Sequence, residues 1–180
     1  MDNTTFNKFA DRFFELVLDY CYAPLDMVEN YKWPTGASKT TIKLAQTAKF
    51  YLNAWRCLIC DNDLDPENNT EEYFITNLKI IAQRKGEEYQ VGQDRLSSFD
   101  DDARWSNELW HELFPNAVHG FSPDMICIAQ MSKNGFCADE MYEGHDKRIT
   151  VERLKEKFGD PIIYCCLLAA KICDQTGKEF

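Results

Sequence analysis

The chain lacks the short signatures that would announce a familiar chemistry. It has no G-x-S-x-G elbow, no G-x-x-x-x-G-K-S/T loop, no G-x-G-x-x-G fingerprint and no H-x-x-x-H pair. Those gaps argue against an elbow-type serine hydrolase, a P-loop or dinucleotide-binding fold and a helix-borne zinc hydrolase. Positive charge is also short, with 20 basic residues against 30 acidic and a formal charge of -10. Direct nucleic-acid binding, which needs a basic face to neutralise phosphates, is therefore not expected. No run reaches the roughly 18 apolar residues of a membrane span, and MDNTTFNKFADRFF lacks the basic start and apolar centre of a signal peptide. The expectation is a cytoplasmic protein that uses no membrane, its eight cysteines reduced. Cys57 and Cys60 form one C-x-x-C without the second pair of a zinc ribbon.

Period-2 alternation is scarce as well, so strands are not expected. What recurs is helical spacing. Phe6, Phe9, Phe13, Leu16, Val17 and Tyr20 share one face. After the breaker KWPTGAS, Ser38 or Thr40 can cap a helix carrying Leu44, Ala45, Ala48, Tyr51, Leu52 and Trp55. A turn-rich DNDLDPENNT precedes Thr70, whose helix holds Tyr73, Phe74, Ile75, Leu78, Ile80 and Ile81 and stops near Gly86. Phe99–Leu113 reads as a helix ended by Pro115, with Trp105 and Trp110 assigned to the core. Ser122-Pro123-Asp124 opens another, followed by an irregular Gly135–Arg148 and a last helical region from Thr150. The expected fold is an all-α bundle of about six or seven helices.

The last region carries the most chemistry. Glu152, Glu156 and Asp160 are spaced four apart, ahead of the apolar run Ile162–Ala170. On one continuous helix they form an acidic row, and clustered carboxylates are one way to hold Mg²⁺ or Mn²⁺. Gly159-Asp160-Pro161 interrupts the row and leaves two readings open. Either Gly159 closes a short helix and Asp160 caps the next, or a kink keeps Asp160 beside Glu156. Arg153, Lys155 and Lys157 allow a plain solvated charged face instead.

Two blocks, RKGEEYQVGQDRLSSF at 84–99 and EKFGDPIIY at 156–164, flank a helix DMICIAQMSKN with Lys133 near its end. In that order they resemble the phage-encoded, MazG-like, all-α nucleotide pyrophosphohydrolases, over roughly the C-terminal 100 residues. The resemblance implies a 66–180 helical domain preceded by a 1–65 N-terminal helical extension, or one continuous unit, often oligomeric. It implies Mg²⁺-dependent (or Mn²⁺-dependent) cleavage of a nucleoside triphosphate to monophosphate and pyrophosphate. By position Asp124, Glu156 and Asp160 match the metal carboxylates, with Glu152 as a fourth, and Glu156 and Asp160 are the catalytic candidates. Lys133, Arg84, Tyr89 and Arg95 match the substrate-binding positions. Gln90, Ser98 and Ile163 depart from the family's usual Gly, Asn and Asn, and its E-E-x-x-E helix is not evident.

An alternative belongs to a different class: an acidic phage-encoded inhibitor of a host nucleic-acid-directed defence enzyme, of anti-CRISPR or anti-restriction type. Asp100-Asp101-Asp102, the run from Asp61 to Glu67, Asp139-Glu140 and Glu143 would meet the groove of a basic host protein. Asp61, Asp63, Asp65 and Glu72 faintly echo a calcium loop, but Pro66 stands where its sharp-turn glycine belongs.

Overall fold

The computed structural model describes residues 2–28, 30–64, 66–88 and 97–177. It is built from helices, with no strand among the described residues. α1 spans Asn3–Tyr22, α2 Leu25–Val28, α3 Lys39–Asp61, α4 Glu71–Glu88, α5 Ser97–Leu113, α6 Pro123–Tyr142, α7 Val151–Leu154 and α8 Asp160–Thr176. A 3₁₀ turn covers Pro66–Asn69, and a π turn, Lys155–Gly159, joins α7 to α8.

Local chemistry starts these helices. Asp2, Ser38, Ser122 and Thr150 each accept the backbone N–H three residues on, at 2.8, 3.0, 3.2 and 3.3 Å. Each satisfies one of the donors a helix start leaves open, worth about 1 kcal/mol. Thr70 does the same for Tyr73 at 3.1 Å. Apolar periodicity then decides the packing. Phe6, Phe13 and Val17 of α1 meet Leu52, Trp55 and Ile59 of α3 and Phe74 and Leu78 of α4 in one buried cluster.

α8 is the axis of that cluster. Every residue from Asp160 to Ala170 is buried, and α8 packs against α1, α3, α4 and α6. The core therefore runs from Phe6 to Ala170, and a boundary at 65/66 would pass through shared packing.

Two local readings change, and the choice left open at Gly159 is decided. α6 continues through Gly135 to Tyr142, where 135–148 read as irregular. Gly135 there lies against Tyr51, whose hydroxyl a side chain would strike. Helical structure does not end at Gly159 either. Gly159 and Asp160 both keep right-handed helical angles, and Asp160 caps nothing. Pro161 has no N–H to donate and its ring crowds the carbonyl four residues back, a conflict that a widened turn relieves. Trp105, assigned to the core, is 64% exposed, whereas Trp110 packs on Phe114 and Phe121 at ring separations of 4.5 and 5.6 Å.

Candidate functional site

The π turn sets out the chemistry of the last helical region. Gly159 lets α4 come close, because a Cβ there would press on the end of Ile81 and touch Trp55. That approach brings the end of α4 to the first turn of α8. Asp160, only 4% exposed at its side chain, meets Lys85 Nζ at 3.1 Å and Arg84 Nη2 at 3.5 Å. Burial raises the Asp160 pKa, Lys85 and Arg84 pull it back, and the charge of Glu156 pushes it further up. Glu156 is half-exposed and pairs with Lys157 at 2.6 Å, which lowers its own pKa. The buried carboxylate, the facing amine and the second carboxylate one turn away make a compact polar group inside an apolar bundle.

The other sequence candidates lie elsewhere. Asp124 pairs with Lys171 at 2.9 Å. Lys171 is eleven residues beyond Asp160, about 16 Å along the helix at 1.5 Å per residue. Asp124 therefore sits towards the opposite end of α8 and does not join Glu156 and Asp160. Glu152 is exposed on α7, and its charge acts on Tyr73, whose hydroxyl pKa is raised mainly by burial. Lys133 is exposed on α6. Tyr89 and Arg95, like Gln90 and Asp65, lie outside the described residues.

Mg²⁺ takes six ligands in near-octahedral array, carboxylate oxygens with waters. Both oxygens of Asp160 face cations, and Glu156 already holds an amine. Among the described residues no three His, Cys, Asp or Glu side chains are grouped to hold a metal. As they stand, Glu156 and Asp160 are held in ion pairs. The cysteines are free thiols, and burial raises Cys127 and Cys165 to about 12, which leaves them inert as nucleophiles at neutral pH.

A second locus was not nominated by sequence. α3 and α6 border a cleft of about 240 Å³ whose walls include Phe50, Tyr51, Phe136 and Tyr142. Phe136 also borders a broader pocket of about 790 Å³ that holds Lys147, Arg148, Arg153 and Lys157. The signal was present in the chain, since these cations and Lys155 fall within eleven residues of an otherwise acidic protein. For Arg153, Lys155 and Lys157 a solvated face was one reading open in the sequence, and nothing in the local pattern shows that 147–157 fold back beside Phe136. No protein-family model, curated protein or solved structure matches the chain.

Proposed function

We propose that the chain hydrolyses nucleoside phosphates at the Asp160 end of α8, as its resemblance to the MazG-like pyrophosphohydrolases implies. The observation that carries this reading is the buried Asp160–Lys85 pair, with Asp160 directly following a π turn. A nearly inaccessible carboxylate is expensive to hold in a core and is common where its charge has a use, and π turns recur at functional positions. In this reading Glu156, which meets solvent, takes a proton from the attacking water. Lys85 and Arg84 offset the charge on the transferring phosphoryl oxygens. Asp160 fixes Lys85 in place.

A nucleotide panel assayed for pyrophosphate release with Mg²⁺, with Mn²⁺ and with EDTA tests this. Turnover of at least one triphosphate is expected, falling by about 10²–10⁴-fold in Glu156→Gln. No turnover by the unaltered chain under any of these conditions rules the hydrolase out.

A second reading, protein docking, is favoured by the outer face of α5. Trp105, Leu109 and Leu113 stand one turn apart and are 64%, 41% and 62% exposed. Phe114 and Val118 extend the patch at 51% and 87%. Asp101, Asp102, Glu108 and Glu112 fall on the same helix, with Arg104 bridging Asp101 and Glu108 at 2.9 and 3.6 Å. An acidic rim around an apolar stripe suits a basic partner, the chemistry the inhibitor reading requires, and disfavours self-pairing through like charges. An amphipathic Leu/Lys peptide is the probe: capture at 50 mM salt that weakens at 500 mM and is lost in Trp105→Ser/Leu113→Ser supports docking. Unchanged capture by that double variant excludes α5 as the contact.

A further inference from the structure

The cleft between α3 and α6 and the cationic pocket beside it meet at Phe136, which borders both. One side offers flat apolar surface. Phe50, Phe136 and Tyr142 are 59%, 67% and 51% exposed there, and Phe50 meets Tyr51 edge-on at 5.8 Å. Three large rings left in water around one cleft depart from the scattered apolar exposure of an ordinary surface. Gly135 shapes the space between them. With no Cβ on α6 at that point, the Tyr51 hydroxyl reaches the helix backbone.

The other side is organised by Asp146. Its carboxylate accepts the Nε and Nη2 of Arg148 at 2.9 and 2.8 Å and the Nη2 of Arg153 at 2.6 Å. The Arg148 hydrogen bonds hold the Asp146 pKa well below the ordinary carboxylate range, so the two guanidiniums stay gathered at neutral pH. Lys147 adds a third cation beside the carboxylates Glu140 and Asp146, while Lys157, also on the pocket wall, is held by Glu156 at 2.6 Å. Within a chain of charge -10 this is a local excess of positive charge. Its clustered guanidiniums have the fork geometry that grips phosphate oxygens.

We infer that this paired cleft and pocket bind a nucleoside phosphate, the base lying among Phe50, Phe136 and Tyr142 and the phosphates on Lys147, Arg148 and Arg153. Stacking tolerates any base and contributes about 1–3 kcal/mol per ring, while guanidinium–phosphate bonds make the binding salt-dependent. The site shares its ligand class with the proposed hydrolase and takes no residue from the Asp160 cluster, so the two can fail separately.

The experiment is calorimetric titration of the full chain with ATP and GTP in EDTA, beside adenosine alone and inorganic triphosphate alone. Both nucleotides are expected to bind, and each half-ligand at least tenfold more weakly. Phe136→Ala and, separately, Lys147→Gln/Arg148→Gln should each weaken ATP by roughly tenfold or more. These side chains are largely exposed, and thermal melts should confirm that the variants fold. Lys8→Gln, on the exposed side of α1, should bind as the unaltered chain does. No nucleotide binding at millimolar concentration, or binding unaffected by the cleft and pocket variants, overturns the inference. Pyrophosphate release without binding here would sink the cleft and leave the hydrolase standing, and binding without release would do the reverse.

Discussion

α5 and α8 have the same length, 17 residues each, and opposite surroundings. α8 is wrapped by four other helices and buries eleven consecutive residues, including a carboxylate. α5 packs chiefly on α6, joined to α8 near its start where Phe99 meets Tyr164 at 6.3 Å. It leaves Trp105, Leu109 and Leu113 outside. One helix is apolar almost all round and so has nowhere to go but the centre; the other has an apolar stripe that the fold does not use. The difference separates what holds this molecule together from what it has left to offer a partner.

The comparison breaks if residues of equal size on the two helical regions count equally towards stability. Phe158→Ala, at the π turn, is expected to destabilise by about 3–5 kcal/mol, read as a lower denaturant midpoint. Lys85→Met should cost somewhat less, about 2–4 kcal/mol, because it leaves the buried Asp160 charge with only the longer Arg84 contact at 3.5 Å. Gly159→Val follows at about 1–3 kcal/mol, and Ile81→Ala should recover part of that loss if the clash at Ile81 is its source. Leu113→Ala on α5 should change stability by no more than about 0.5 kcal/mol. A substitution at Trp105, Leu109 or Leu113 as damaging as Phe158→Ala would mean that the stripe is core after all.

A pH titration sharpens the same contrast. The Asp160 pKa is raised by burial, so in the window between its unfolded and folded values the folded state holds a proton that the unfolded state has released. Stability from this group therefore falls as pH rises from the ordinary carboxylate range through the raised value. Asp160→Asn should remove that slope from a set of melts taken at increasing pH. An unchanged slope would show that the carboxylate titrates normally and that burial does not dominate at this position.

The helical architecture was readable because each long helix carries its own apolar period and most carry a capping side chain. Phe6, Phe13 and Val17 on α1, and Ala45, Ala48 and Leu52 on α3, needed only local spacing. The site was less readable because its partners are remote. Lys85 and Asp160 are 75 residues apart, and nothing in EKFGDP indicates that Gly159 admits Ile81 and draws α4 into place. The acidic row suggested carboxylates seeking a cation, and the cations that answered were side chains: Lys85 and Arg84 for Asp160, Lys171 for Asp124. Trp105 failed for a related reason. Its size argued for burial, and only the arrangement of α5 against α6 shows that no described element covers it.

The π turn has a consequence beyond its hydrogen bonds. A helix keeps its faces aligned by counting residues, and each residue advances the spiral by about 100°. The extra residue lodged in Lys155–Gly159 works as a phase slip between the charged segment before it and the greasy rod after it. Deleting one residue there would turn the two segments against each other by nearly a third of a revolution, swinging Glu156 away or Asp160 out of its niche. A single codon thus governs whether those two acids look at the same neighbours.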